Sequence, residues 1–349
     1  MILGELWWTR LVNSVRFLEA VKDALIDGKS VVMSFDSEIP WQEFMIETLE
    51  QQISFLTETH MFVSHDVFGG KEKPGEFLFK NYCSEYDRTH NYWPSMTYEA
   101  FLASNKNSPL KHSVVCITGV TSGNANTWVK TINEYLDNCT DDEHGVFIVV
   151  TRGMPTTASR HIEVVRYSDF VSEYDCLMLC MTVLSSEKCT PVQKKYVSEI
   201  ASNIARGNIS IAGALASAGY KLAIAPYETA AEALKECEVK ITSLYECVKA
   251  AVWEAQIKLV FPKLEDFRRE LIIKYKSKLQ VGLPITSSSG ERVERVGDLE
   301  IGQLYFLCGK HTILEKSEFE LLKKMREARN KLAHQDVLSI EQLKELAIL

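Results

Sequence analysis

Two short, unbroken apolar runs, Ser113-Val114-Val115-Cys116-Ile117-Thr118 and Gly145-Val146-Phe147-Ile148-Val149-Val150, flank an amphipathic stretch around Trp128–Leu136. A strand that is apolar at nearly every residue needs cover on both faces, and a parallel sheet between helical layers provides it. The strand-helix-strand succession is therefore read as a βαβ unit. The flanking sequence extends the pattern. Leu11, Val15, Leu18, Val21 and Leu25 have helical spacing within Leu6–Leu25, and Gly28 is placed to end that helix. Ser30–Phe35 and His60–Val63 read as strands, with a helix carrying Phe44, Ile46, Leu49 and Ile53 between them, and Ile162–Val165 reads as an edge strand. The expected fold class is α/β, a three-layer domain of mainly parallel strands.

Beyond Cys189 the chain reads as helical. Thr190-Pro191-Val192-Gln193 is a capping box with proline at the first helical position. A short helix is expected over Ile209–Tyr220, as a helical lid on the sheet. From Thr229 to about Leu279 two long helices are expected, broken near Pro262. Pro226 suggests a boundary, giving an α/β domain over 1–228 and an all-helical bundle over 229–349. Pro284–Arg292, with Ser287-Ser288-Ser289-Gly290, reads as a loop, as do Gly69-Gly70 and Lys71–Gly75.

Charge separates the same two regions. Residues 231–349 hold 20 Lys+Arg and 19 Asp+Glu, whereas residues 1–230 hold 19 and 28. A polyanion is disfavoured by the first region and tolerated by the second, which makes the acidic region the expected docking surface for any partner protein. No apolar run approaches the roughly 18–20 residues of a membrane helix, so no membrane partner is expected. The opening residues, with Glu5 early and no basic leader, do not read as a signal peptide. Nine cysteines are scattered with no C-x-x-C pair, which argues for free thiols in a reducing cytoplasm and against structural zinc. No cofactor and no metal are expected.

Gly28-Lys29-Ser30 imitates the end of a P-loop. The P-loop needs a glycine-rich turn after a strand, so that backbone N–H groups at a helix N-terminus wrap the phosphates. Here the triplet precedes the strand, and at the mechanically correct place stand the acids of Asp36-Ser37-Glu38. Thr151-Arg152 closes a strand where such enzymes keep a polar sensor. Residues 25–225 thus resemble a degenerate P-loop NTPase domain of the AAA/STAND type without its Walker motifs, and ATP hydrolysis is not expected.

The chemistry-bearing motif lies near the C-terminus. Ser317-Glu318-Phe319-Glu320 reads as a capping box opening a helix whose apolar stripe is Leu321, Leu322, Met325, Ala328, Leu332 and Ala333. Along it run Arg326, Arg329, Asn330 and His334. Asn330 and His334 are one turn apart, Arg326 is a turn above Asn330, and Arg329 lies to the side. Ser339-Ile340-Glu341-Gln342 reads as the capping box of a closing helix.

Arg329-Asn330-Lys331-Leu332-Ala333-His334 is an R-N-x-x-x-H sequence, and with its helical surroundings over 231–349 it resembles the HEPN superfamily, many of whose members are metal-independent ribonucleases. The resemblance implies an endoribonuclease acting on RNA, in phage defence or as a toxin, with the N-terminal domain regulating it and a homodimer formed through the C-terminal domain. It implies that His334 is the acid or base, an imidazole's ordinary pKa near 6.5 suiting proton transfer. Arg329 would hold the phosphate, and Asn330 would orient the imidazole or bind a phosphate oxygen. Lys323, Lys324, Arg326 and Lys331 would position the RNA backbone. The same resemblance admits an inactive interaction subunit of a larger defence complex, in which the Arg-Asn-His strip is a structural seam.

Other features carry structural readings. His60 and His65 lack spaced carboxylate partners for a metal. Asp141-Asp142-Glu143 reads as a solvated charge run, and Trp7, Trp8, Trp41 and Trp93 are explained by core or interface packing.

Overall fold

The computed structural model describes residues 2–69, 73–140, 143–157, 159–237, 239–286, 290 and 292–349. Gly70, Lys71, Glu72, Asp141, Asp142, Ser287, Ser288, Ser289 and Glu291, all read above as loop, lie outside the described residues. The chain divides into two compact units, Met1–Asp175 and Cys176–Leu349.

The N-terminal unit is the expected α/β domain. Its strands are β1 (Ser30–Phe35), β2 (Met61–Asp66), β3 (Ser113–Thr121), β4 (Val146–Arg152) and β5 (Ile162–Arg166). They form one sheet in the order β2-β3-β4-β1-β5, and every pairing is parallel. Around it lie α1 (Leu3–Arg10), α2 (Val12–Ile26), α3 (Gln42–Gln52), α4 (Ser54–Thr57), α5 (Pro74–Tyr82), α6 (Tyr98–Ser104) and α7 (Ala125–Asn138). Successive strand residues face opposite layers. Val32, Val115, Ile117, Phe147 and Val149 pack with Leu78, Phe101, Trp128 and Ile132 of α5, α6 and α7. On the opposite face Phe35 meets Phe17 of α2, ring centroids 5.4 Å apart. β5 is an edge strand, as its shorter apolar run suggests.

Two local details differ from the sequence expectation. The first helix is interrupted at Leu11 (φ −80°, ψ 125°), where the buried Ser14 hydroxyl donates to the carbonyls of Trp7 and Leu11. Trp7 and Trp8 are completely buried at this corner, and their burial repays the lost helical bonds. In β3 the register shifts between Ile117 and Val120. Gly119 sits there at φ +74°, and a Cβ would come within 2.3 Å of Asp66 Oδ1 and 2.6 Å of Phe68 N, so only glycine fits.

Helix α8 (Glu173–Val183) spans the division. The C-terminal unit then holds α9 (Pro191–Ala205), α10 (Ile209–Ser217), α11 (Lys221–Ile224), α12 (Pro226–Glu236) and α13 (Leu244–Val281), followed by a two-residue antiparallel ladder of β6 (Ile285–Thr286) and β7 (Arg292–Val293). It closes with α14 (Ile301–His311), α15 (Lys316–Ala333) and α16 (Ile340–Glu345). The Thr190–Gln193 and Ser339–Gln342 capping boxes both form.

The division falls earlier than the 228/229 boundary expected from Pro226. The reason is lateral packing that local sequence does not encode. Glu199 of α9 pairs with Lys258 of α13 at 2.6 Å, and the buried Gln256 amide donates to the Tyr196 hydroxyl at 2.9 Å. The short helix expected as a lid on the sheet, α10, likewise falls in the second unit. Pro262 does not break α13 either, since Val260 and Leu264 beside it are buried and hold the helix through the missing bond. Non-helical backbone occurs instead at Tyr275 (φ −113°, ψ 18°). Among the described residues no helix is long and apolar enough to cross a membrane.

Candidate functional site

Helix α15 carries the R-N-x-x-x-H sequence, and its neighbours fix its setting. Leu322, Met325, Ala328 and Leu332 are buried, whereas Leu321 is half-buried and Ala333 exposed. The expected Ser317 capping box does not form. The helix begins at Lys316 behind Glu315, which leaves Ser317 inside the first turn, and Glu318 accepts from the Lys274 ammonium at 2.6 Å and from the Tyr275 hydroxyl. Those two partners hold its carboxyl below the ordinary glutamate range.

The C-terminal end of α15 is anchored by α13. Trp253 Nε1 donates to the Leu332 carbonyl at 2.8 Å. Gln256, fully buried, donates to the Leu338 carbonyl at 2.9 Å and accepts from the Leu338 N–H at 2.8 Å. His334 is the residue that caps the helix (φ −97°, ψ 17°), and Gln335 turns the chain at φ +58°. A motif at a frayed helix end would wander; here two side chains from another helix pin the segment on either side of His334.

The predicted site residues divide around α15 between engaged flanks and one open strip. On the flanks, Lys324 and Lys331 to one side and Arg329 about 140–160° away, the cations are engaged. Lys324 pairs with Glu345 at 3.0 Å, and Lys331 donates to Gln342 Oε1 at 3.2 Å, both toward α16. Arg329 donates to the neighbouring Asn330 Oδ1 at 3.3 Å and lies 3.7 Å from Glu300. It lines a cleft of about 390 Å³ with Phe261, Leu264, Arg268 and Leu299. Arg268 is itself committed, donating to the carbonyls of Gly297 and Leu299 and to Glu265.

The strip between the flanks is open. At about 100° per residue, Phe319, Lys323, Arg326, Asn330 and His334 share a strip roughly 80° wide. Arg329 and His334 are about 140° apart, so Arg326, rather than Arg329, is the guanidinium on the histidine's side. Arg326 stands 4.7 Å from the centroid of the Tyr305 ring, and Tyr305 stacks on Phe319 at 5.1 Å with 16° between planes. Among the described residues Lys323, Arg326 and the His334 ring have no hydrogen-bond or ion-pair partner. Lys323 and His334 are exposed and Arg326 is half-buried. Tyr305 and Phe319 are neighbours of this strip that local reasoning missed; Phe319 sits four residues before Lys323, but nothing in the sequence announces that Tyr305 would meet it.

Most of the remaining features are absorbed by structure, although Trp93, expected in a packed setting, is 70% exposed. Gly28 ends α2 at φ +76°, Lys29 pairs with Glu163 at 2.6 Å, and Ser30 Oγ accepts the Phe147 N–H at 3.0 Å. The Trp8 indole donates to the Pro40 carbonyl. His65 meets the Tyr82 hydroxyl at 2.9 Å, and burial lowers its pKa. Thr151 is fully buried at the end of β4, with Arg152 exposed beside it. Among the described residues no three His, Cys, Asp or Glu side chains are placed to hold a metal ion. No protein-family model matches the chain, and comparison with curated proteins finds no significant match.

Proposed function

We propose that this protein is a metal-independent endoribonuclease of the HEPN type, with its reaction centre at the C-terminal end of α15. The observation that carries the reading is the exposed His334 imidazole, unpartnered among the described residues, its chain pinned at Leu332 and Leu338 by Trp253 and Gln256, with Asn330 and Arg326 on its own strip. An imidazole left without a partner among the described residues, two turns along the helix from a free guanidinium, is available for proton transfer at a phosphodiester. In the reaction the ribose 2′-oxygen attacks phosphorus while its proton passes to a base. The bond from phosphorus to the 5′-oxygen breaks, and that oxygen takes a proton on leaving. The products are a 2′,3′-cyclic phosphate and a 5′-hydroxyl, with no oxidant or reductant consumed. His334 is the acid or base, and guanidinium groups offset the charge that grows on the phosphoryl oxygens.

Arg329 joins this centre only from a second copy, since in one copy it points to a different sector. A homodimer through the C-terminal unit is therefore part of the proposal. The order of the sheet, with β1 between β4 and β5, supports a P-loop-like N-terminal domain that serves as regulator, and the acids after β1 support its lack of nucleotide hydrolysis. Cytoplasmic action in defence or as a toxin belongs to the same reading.

The test is cleavage of tRNA or total cellular RNA in EDTA by wild type, His334→Ala and Arg329→Ala. Loss of cleavage in the histidine variant supports the enzyme; equal rates in all three, or none in any, remove it. One observation favours the alternative of an interaction subunit: the motif arginine is engaged by Glu300 and Asn330, as in a structural seam. That reading expects Arg329→Ala to dissociate a dimer, measured by light scattering, with no RNA cleavage at any stage.

A further inference from the structure

We infer that the Phe319–Tyr305–Arg326 stack is a platform for an unpaired nucleobase, which makes the substrate single-stranded or looped RNA rather than duplex. The inference rests on the ribonuclease reading above and specifies its substrate.

Arg326 is unusually placed for an arginine. A half-buried arginine ordinarily has an acid or a set of carbonyls to satisfy its five N–H donors. Arg326 has neither among the described residues; what orients it is a ring, with the guanidinium 4.7 Å from the Tyr305 centroid. Tyr305 is in turn backed by Phe319 in a near-parallel stack. Phe319 rests against Gly309 one turn along α14, where a Cβ would stand 3.2 Å from the Phe319 ring. Both rings pack against the apolar core of the bundle, beside Leu304, Leu307 and Leu322. The guanidinium is thus held over a ring that is itself supported from behind, and its donors remain unspent among the described residues.

A planar cation in this state offers one face for stacking and an edge for hydrogen bonding. Nucleobases use both, and stacking on arginine planes is a common way to hold bases that are splayed out of a helix. The bases of a duplex are already stacked on each other and present no such face. Lys323 one turn before and His334 two turns after line the same strip, so a strand laid along it has a phosphate contact, a stacked base and the reacting imidazole in succession. An acidic peptide would use the charge but not the plane.

The experiment uses the full chain with His334→Ala, so that binding is read without cleavage, in EDTA and by fluorescence anisotropy. The probes are a labelled 12-nucleotide single strand, the same sequence as a blunt duplex, and a strand of abasic residues with the same number of phosphates. Arg326→Lys keeps the charge and removes the plane. It is expected to weaken single-strand binding about tenfold and to leave the abasic strand unaffected, with the single strand preferred over the duplex in the parent. Arg326→Gln and Tyr305→Leu repeat the measurement if the lysine variant melts early. Equal single-strand affinity in Arg326→Lys, equal binding of duplex and single strand, no binding of any probe, or displacement by polyglutamate as effective as by RNA overturns the platform. The two readings fail separately. Arg326-dependent binding in a protein that never cleaves RNA retains the platform and removes the nuclease. Cleavage by the otherwise wild-type enzyme with KM unchanged in Arg326→Lys retains the nuclease and removes the platform.

Discussion

Two stretches of this chain imitate functional motifs, and both stand at the end of a helix. Gly28-Lys29-Ser30 follows α2, and Arg329–His334 closes α15. In the first, every chemical group is spent on the fold: the glycine on a left-handed turn, the lysine on Glu163, the serine on the backbone of β4. In the second, the histidine is exposed, and its strip holds two further cations without hydrogen-bond or ion-pair partners among the described residues. The contrast teaches that a motif's spacing is only a precondition. Whether its side chains remain available is decided by residues far away in sequence.

The largest effect that would break this contrast is on catalysis. His334→Ala is expected to lower RNA cleavage by about 10²–10⁴-fold, the range for removing a general acid or base. Lys29→Met is expected to leave cleavage unchanged in the same gel assay. A cleavage defect in the Lys29 variant equal to that in the His334 variant would erase the distinction.

The next effect is on stability. Gln256→Leu strips partners from the Leu338 N–H and carbonyl and from the Tyr196 hydroxyl inside the bundle, at a cost of about 2–4 kcal/mol. Urea unfolding measures it, and reduced cleavage should accompany it because the chain beyond His334 loses its anchor. Ser30→Ala should cost about 1–3 kcal/mol in the same measurement, since the buried Phe147 N–H is left unsatisfied. No accompanying loss of cleavage is expected beyond that caused by unfolding.

The smallest effect contrasts two histidines. His65 is half-buried against Tyr82, and burial lowers its pKa in the folded state, so the fold favours the neutral ring. The unfolded chain takes up a proton near pH 6.5. Stability from neutral His65 is therefore present above that pH and declines as the pH falls from about 6.5 through the lower folded value. His65→Phe should flatten the fall in melting temperature between pH 7.5 and 5.5 by a small margin. His334 is exposed, and His334→Ala should leave the melting temperature at pH 7.5 nearly unchanged.

Much of this architecture can be read locally. The apolar runs of β3 and β4, the βαβ unit they form with α7, and the Thr190 and Ser339 capping boxes depend on residues within a few positions of one another. The Ser317 box failed because the helix starts at Lys316 behind Glu315, which leaves Ser317 inside the first turn, while Glu318 meets Lys274 and Tyr275 of another helix. Pro262 failed as a helix break because Val260 and Leu264 are buried on either side of it. The site was legible to the same extent: the motif and its helix could be placed, but not which of its arginines stays free.

Sequence alone determined the α/β character of the first unit, the helical character of the second and the position of the R-N-x-x-x-H motif near a helix end. Periodicity and capping act within one or two turns, so they survive translation from a linear string. Tertiary structure decided that β1 lies between β4 and β5, that α9 packs with α13, and that Arg329 turns to Glu300 while Arg326 stacks on Tyr305. Each of those choices is a competition between distant partners for the same surface or charge, and only the folded chain brings the competitors together.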